Sequence, residues 1–194
     1  SSAPNVTSKS RELTAKWIWS AADSSNATAG ETFVVRKTFD LKEAPAQAVA
    51  GVSCDNSYTL YANGQKIHSG EAWDSPDAVV LTGKLKAGKN EIVIVGRNGG
   101  GGPNPAGLIC EIVAHLPDKQ VVGFATDDSW QWTKKLPDGK GKFKTEPTDW
   151  QAAAIVKNAA VWNGAIPQLA TAINAGSQSV GLRVRASLVK SDFL

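Results

Sequence analysis

The sequence predicts an all-β sandwich that carries a short helical extension at its C-terminal end. Short runs of apolar and β-branched residues recur at intervals of about 8–12 residues, with turn-forming residues between them. No helical periodicity occurs before about residue 148, whereas a parallel α/β fold needs helices between its strands. Hydrophobic residues make up 42% and charged residues 20% of the 194 residues, a balance typical of a globular protein.

The predicted strands follow Trp17-Ile18-Trp19, which opens the ordered part of the chain. Each strand ends at a turn signal, and the clearest signal is Asn63-Gly64, because a type I′ hairpin needs positive φ at both central positions. The segment 108–114 is almost purely apolar and is expected at the centre of a sheet. The predicted strands are 33–39, 48–54, 58–62, 65–68, 78–81, 91–96, 108–114, 121–125 and 130–132.

The pattern divides the chain into three parts. Residues 1–14 are rich in Ser, Thr and Lys and predict a linker, and residues 15–147 predict the sandwich. Residues 148–194 predict a helical extension, which belongs to this domain or begins a neighbouring one. Thr148-Asp149-Trp150-Gln151 has the pattern of a capping box whose helix continues to residue 160. Ile166-Pro167 is typical of the first turn of a second short helix.

Charge and hydropathy limit the classes of partner. The chain has 21 basic and 18 acidic residues mixed along its length, so no nucleic-acid partner is expected. The longest apolar runs are far too short to span a bilayer, so no membrane association is expected. One basic cluster is interrupted by turn-forming residues and predicts a solvated loop. Its members are Lys134, Lys135, Lys140, Lys142 and Lys144.

Two cysteines and the absence of methionine bear on the compartment. Cys54 and Cys110 lack the spacing of metal ligands and lie in strand-like runs. Buried free thiols and a disulfide between neighbouring strands both remain open for them. The chain contains no Met, even at position 1, and ends abruptly, so we expect a piece of a longer protein. We expect that protein to be extracellular or periplasmic, with its targeting segment upstream.

Several of these segments together resemble a known fold family. Trp17-Ile18-Trp19, the segment SYTLYANG at 57–64, and Gly88-Lys89-Asn90 followed by a strand resemble the galactose-binding-like jelly rolls. Such modules occur in bacterial α-L-rhamnosidases and as the sugar-binding domain of family-2 glycoside hydrolases. The resemblance covers roughly residues 15–133. It implies a galactose-binding-like β-sandwich whose ligand is a mono- or polysaccharide, although many functions share this fold.

A second resemblance is narrower. Residues 184–194 and the glycine-rich stretch 98–107 resemble large uncharacterised planctomycete proteins that also carry cytochrome c-like domains. This resemblance implies that the sandwich is embedded in such a protein and has neighbouring domains of the parent chain as partners.

The candidate ligand-binding residues lie at predicted strand ends and in loops. Sugars offer an apolar face to aromatic rings and a fringe of hydroxyls to polar side chains. Trp73 lies in a polar loop. We expect its ring either to cover the core as a lid or to be exposed as a platform for a sugar. Arg97 is either a clamp with paired donors or the partner of Asp55 or Glu111 in a salt bridge. The predicted binding residues are Asp55, Asn56, Trp73, Arg97, Asn98 and Asn104.

The resemblance adds a role for two of these positions. In rhamnose-binding modules of this fold, Asp and Asn on rim loops contact the sugar, sometimes with a calcium ion, and Asp55 and Asn56 are the matching residues. Both are also ordinary turn residues, so a structural role stays open. A structural calcium would have carboxylates in loops as ligands. The candidates are Asp74, Asp77, Asp127 and Asp128.

No residues predict catalysis. Neither His68 nor His115 has a nucleophile signature nearby, and the paired aspartates lie in turn-like sequence. The run Gly99 to Gly102 precedes a strand and not a helix, so it does not predict a phosphate loop.

Tryptophans account for seven residues of the chain. Those that flank strands, namely Trp17, Trp19, Trp130 and Trp132, are expected in the sandwich core. Trp150 and Trp162 are expected to pack the C-terminal extension on the sandwich. The sequence thus predicts a non-catalytic carbohydrate-binding module of a larger secreted bacterial protein, without an organic cofactor. The alternative is a structural or protein-interaction domain with no sugar ligand.

Overall fold

The computed structural model describes residues 12–174 and confirms the β-sandwich. Two antiparallel sheets of six strands each enclose one apolar core, and every strand predicted between residues 33 and 132 is present. The strands are β1 (Ile18–Trp19), β2 (Thr32–Leu41), β3 (Gln47–Asp55), β4 (Ser57–Ala62), β5 (Gln65–Glu71), β6 (Asp77–Val80), β7 (Gly88–Arg97), β8 (Gly107–His115), β9 (Val121–Ala125), β10 (Gln131–Thr133), β11 (Gln151–Ala152) and β12 (Ala154–Ile155).

The first sheet has the order β12-β1-β8-β3-β6, with β9 also paired to β8. The second sheet has the order β11-β10-β2-β7-β4-β5. Strand β8 is central, as its apolar sequence predicts, because every residue from Gly107 to Ala114 is buried. Together with the helical C-terminal extension, this is the galactose-binding-like jelly roll that the sequence predicts.

The prediction of a helix that begins at Thr148 is wrong. Residues 151–152 form β11 on the edge of the second sheet, and residues 154–155 form β12 on the edge of the first. The Ala153 N–H between them donates to the Trp130 carbonyl, and Ala153 is buried. The chain here is bound by strand pairing on both sides, which overrides the local helix signal.

Helical structure begins further along the chain. A 3₁₀-helix spans Ala159–Trp162, and an α-helix, α1, begins at residue 165 and is described to residue 174. Ile166-Pro167 lies in the first turn of α1, which confirms the second helix signal. The planctomycete-like tail at 184–194, and most of the predicted linker, lie outside the described residues.

The core contains the tryptophans predicted for it. Trp17, Trp19, Trp130 and Trp132 are all buried. Phe33 joins two of these rings, with its centroid 4.7 Å from that of Trp19 and 5.6 Å from that of Trp132. Large aromatic groups therefore fill the space between the sheets at the end where β1 and β2 meet the loops.

The two cysteines are free thiols in this core. Cys54 pairs with Leu108, and Cys110 pairs with Val52, so the two thiols are diagonal neighbours on β3 and β8. Diagonal residues lie about 7–8 Å apart, whereas a disulfide needs Cβ atoms about 3.5–4.5 Å apart. Burial raises the pKa of both thiols, which keeps them protonated and unreactive.

Helix α1 covers part of the outer face of the first sheet. Gly51 and Gly107 lie on this face, and a Cβ atom built on either would meet α1 or Trp162 at less than 3.0 Å. Trp162 stacks on Trp17 with ring centroids 4.6 Å apart. Trp162 therefore packs the extension on the sandwich, as predicted.

Residues 134–150, the covering segment, cross part of the outer face of the second sheet. Val34 and Val93 point outward from this sheet and are nevertheless buried. Trp150 lies here, with the Arg36 guanidinium 4.0 Å from its ring centroid, and so does not pack the C-terminal extension as expected. The basic cluster is a loop, as predicted, and Lys142 bonds Glu91 with an Nζ–Oε1 distance of 3.1 Å.

Candidate functional site

Four connections meet at one end of the sandwich, which we call the rim: residues 20–31, 55–57, 72–76 and 98–106. The strand registers place them together, because Thr32 and Ser57 both pair with Arg97, and Asp55 pairs with Gly107. All six binding residues predicted from the sequence lie on the rim or at the strand ends that enter it. They differ in whether their polar atoms face solvent or the protein.

Asp55 and Asn56 are both held by neighbouring groups. Asp55 is buried at the end of β3, and its Oδ2 accepts a hydrogen bond of 2.9 Å from Trp162 Nε1. Burial raises the pKa of Asp55, and the indole hydrogen bond partly offsets this. The peptide bond between Asp55 and Asn56 is cis. Asn56 Oδ1 accepts a hydrogen bond of 2.5 Å from the Gly99 N–H, which ties the two rim loops together.

Asn98 and Asn104 brace the rim from inside. Asn98 is fully buried, and its Nδ2 donates to the carbonyls of Ala27 and Thr28 at 3.1 and 3.2 Å. Asn104 Nδ2 donates to the Gly99 carbonyl at 2.8 Å and to the Gly102 carbonyl at 2.9 Å. These amides fix the shape of the glycine loop, so their amide nitrogens already have partners within the protein.

Arg97 and the tip of the glycine loop, Gly100 to Pro103, are exposed on the rim, as are Asp74 and Ser75. Arg97 forms no ion pair with any other residue in 12–174, so the expected alternative of a salt bridge to Asp55 or Glu111 is wrong. A Cβ atom on Gly101 or Gly102 would meet nothing within 4 Å. A ligand can therefore approach the backbone of this loop closely, beside a guanidinium whose donors are free.

Trp73 is half-buried and packs against the core. The Ser53 hydroxyl donates to its carbonyl at 2.6 Å, which anchors the loop to β3 near Asp55. The structure thus favours a lid that is partly open to solvent over a free platform.

The predicted calcium ligands do not gather at one point. Asp77 Oδ2 accepts a hydrogen bond of 2.6 Å from the Tyr58 hydroxyl and lies 3.5 Å from His68 Nε2. Asp127 accepts hydrogen bonds from the backbone and hydroxyl of Ser129. Within residues 12–174, no group of three or more His, Cys, Asp or Glu residues is arranged to hold a metal ion. The calcium ion stays a prediction.

Sequence reasoning missed two depressions beside these residues. One, of about 280 Å³, lies within the loop 20–31 above Trp19, where Ser20 Oγ donates to Glu31 Oε1 at 3.0 Å. The other, of about 460 Å³, lies on the outer face of β4, β5 and β7 and includes Arg97. The alternation of Ser57 and Thr59 with buried residues was the available signal for the second.

Comparison with solved structures finds sugar-binding and sugar-cleaving proteins. The lectin of Pleurotus ostreatus in complex with GalNAc aligns with a TM-score of 0.67 and 27% identity over 78% of this chain. An α-L-rhamnosidase of Streptomyces avermitilis complexed with L-rhamnose aligns with a TM-score of 0.63 and 24% identity over 73% of this chain. A family GH78 rhamnosidase of Bacillus sp. GL1 aligns with a TM-score of 0.61 and 22% identity over 78% of this chain.

The chain corresponds to part of each of these proteins. The alignments span 45% of the lectin, 14% of the Streptomyces enzyme and 19% of the Bacillus enzyme. No protein-family model matches the chain, and no curated protein sequence matches it. No helix within residues 12–174 has the length and apolar character needed to cross a membrane.

Proposed function

We propose that this chain is a non-catalytic carbohydrate-binding module that holds a neutral sugar at the rim. The observation that carries the proposal is the likeness to the Pleurotus lectin, which is 27% identical and was solved with GalNAc. The rim also has the chemistry that a sugar requires. The free donors of Arg97 and the open backbone of the glycine loop suit hydroxyl groups, and the half-buried Trp73 offers apolar area.

Some rim residues hold the loops in place while others are exposed, and this arrangement supports the proposal. Asn56, Asn98 and Asn104 hold the loops through hydrogen bonds to backbone groups. Such bracing fixes the position of the exposed groups before a ligand arrives, which lowers the entropy cost of binding. Arg97 then supplies an exposed polar contact.

Three of the described aspartates are bonded within the fold, which does not favour a catalytic role for them. Asp77 is bonded to Tyr58, Asp127 caps its own turn, and Asp55 is held by Trp162. Glycoside hydrolysis needs two carboxyl groups about 5–9.5 Å apart on either side of a sugar. We therefore propose that the chain binds sugar for a larger secreted protein, and that any calcium ion stabilises rim loops.

The test is a glycan array followed by titration calorimetry of the full chain with GalNAc and L-rhamnose. We expect one of these sugars to bind, and Arg97→Ala to weaken binding about 10-fold or more, because hydrogen bonds from a charged donor contribute about 1.5–3 kcal/mol. Trp73→Ala should also weaken binding. Each titration is repeated with a calcium chelator.

Lys86→Ala is the matched control. Lys86 is exposed and precedes β7, at the opposite end of the sandwich from Arg97, and its replacement removes the same charge. Folded protein that binds no glycan with or without calcium would overturn the proposal and favour a structural or protein-interaction domain. Equal losses in Lys86→Ala and Arg97→Ala would show that net charge, and not the rim, governs binding.

A further inference from the structure

The outer face of the second sheet is covered in one part and open in another. The covering segment crosses its middle, where Gly141 lies so close to Tyr61 that a Cβ atom would come within 2.6 Å of that side chain. Val93 is buried there, whereas Val95, two residues nearer the rim, is partly exposed. The open area therefore begins where the covering segment ends, and it continues to the rim.

The register of β4, β5 and β7 fixes which side chains meet in this open area. Ser57 pairs with Arg97 on one side and with Glu71 on the other. In the next row, Thr59 pairs with Val95 and Ser69 in the same way. Side chains directly opposite each other in an antiparallel sheet have Cβ atoms about 4.5–5.5 Å apart, so these two rows form one continuous lining.

The hydrogen-bonding groups of these side chains change from donors at one edge of the open area to acceptors at the other. Arg97 has donors only, Glu71 has acceptors only, and the hydroxyls between them can do either. Thr59 Oγ1 and Ser69 Oγ are already 3.0 Å apart, so they are oriented with respect to each other. Neither Arg97 nor Glu71 forms an ion pair with another residue in 12–174.

We propose that this pocket, lined by Ser57, Thr59, Ser69, Glu71, Val95 and Arg97, is a second sugar subsite that binds the next residue of a glycan held at the rim. The inference rests on the proposed function. The pocket has a volume of about 460 Å³ and is continuous with the rim through Arg97, which supports one extended ligand over two separate ones. The opposite charges at the two edges of the pocket cancel, which suits a neutral, polyhydroxylated ring that can bond donors and acceptors alike.

The test compares monosaccharides with disaccharides on the full chain by titration calorimetry. The probes are GalNAc, L-rhamnose, galactosyl-N-acetylgalactosamine and rhamnobiose. We expect a disaccharide to bind about 10-fold tighter than its monosaccharide, since its second ring forms further hydrogen bonds to the pocket. Thr59→Val and Glu71→Gln should remove most of this gain and leave monosaccharide affinity unchanged within about twofold.

Thr38→Val is the matched control for Thr59→Val. Thr38 is exposed on β2 and pairs with Glu91, away from the rim, so this variant should bind all four sugars as the native chain does. If a monosaccharide binds but neither disaccharide binds tighter, the subsite is overturned and the rim site stands. If no sugar binds to folded protein, the proposed function fails and the subsite fails with it.

Discussion

Asp55 places a carboxylate where burial disfavours its charge. The side chain is 7% exposed, and its hydrogen bond from Trp162 does not fully offset the loss of solvation, so the pKa of Asp55 is raised. An asparagine would accept the same indole hydrogen bond without a charge to solvate. A residue that costs stability in this way is often kept for function, which agrees with its place on the rim.

We expect Asp55→Asn to raise the melting temperature at neutral pH. Because the pKa of Asp55 is higher in the folded state than its ordinary value of 3.8, stability from the protonated carboxyl is fully present below 3.8. That stability is lost as the pH rises through the folded-state pKa. The difference between variant and native chain should therefore be larger at pH 7 than at acidic pH, as measured by calorimetric scans across about pH 4–7.

Asp40→Asn serves as the comparison, since Asp40 is exposed on β2 and its replacement removes the same charge. We expect it to leave the melting temperature nearly unchanged at each pH. A lower melting temperature for Asp55→Asn at neutral pH would contradict the burial argument and indicate that the charge is favourably solvated.

For the predicted binding residues, the sequence indicated their place in the fold better than it indicated which groups they bond. Turn chemistry and strand ends brought Asp55, Asn56, Arg97, Asn98 and Asn104 to one rim. The sequence did not reveal that three of them bond to distant parts of the chain. Trp162 is 107 positions from Asp55, Gly99 is 43 positions from Asn56, and Ala27 is 71 positions from Asn98. Partners so distant in sequence depend on the register of the sheets and leave no local pattern.

The central strands β3 and β8 each contain a glycine where another element packs directly on the sheet. A Cβ atom on Gly107 would lie 2.6 Å from the Trp162 ring, and one on Gly51 would lie 2.7 Å from Ile173. The absence of side chains at these two positions lets the C-terminal extension approach the backbone of the first sheet. Both positions therefore depend on an element more than 50 residues away.

Gly107→Ala should lower the free energy of unfolding by about 1–3 kcal/mol, because the rigid, fully buried Trp162 ring has no free space into which to move. Gly51→Ala should lower the free energy of unfolding less than Gly107→Ala, since the contacting atoms belong to the smaller aliphatic side chains of Ile173 and Leu169 and not to a rigid indole ring. Urea unfolding followed by tryptophan fluorescence measures both.

Gly139→Ala is the control, because a Cβ atom there meets nothing within 4 Å and the backbone is not in the left-handed region. It should be neutral or slightly stabilising, through the lower entropy of the unfolded chain. A Gly107→Ala variant as stable as Gly139→Ala would show that Trp162 does not pack on β8 as described.

Elements were predictable wherever the sequence pattern and the sheet pairing agree. Most strands from β2 to β10 have period-two or continuous apolar patterns bounded by turns, which identify them correctly. Strand β5 has no such pattern and was identified from the preceding Asn63-Gly64 turn. The segment 148–160 was misassigned because a capping box is a local signal. Strands β11 and β12 are two residues long and exist only through pairing with β10 and β1.

Taken as a whole, the molecule leaves each sheet with only part of its outer face covered. The C-terminal residues 151–174 supply edge strands to both sheets and a helix to the first. The covering segment protects the middle of the second sheet but leaves the area beside the rim open. The proposed sugar subsite and the C-terminal extension thus lie on the outer faces of different sheets, and Trp162 of the extension bonds Asp55 at the rim.

A chain shortened to residues 15–147, the sandwich limits predicted from sequence, should not fold stably. It would lack β11, β12 and α1, and with them the buried Trp162, Leu169 and Ile173. Each such side chain contributes about 1.5–3 kcal/mol, and domains have only about 5–15 kcal/mol in total. A cooperative thermal transition in 15–147 at the melting temperature of the full chain would show that the extension is dispensable.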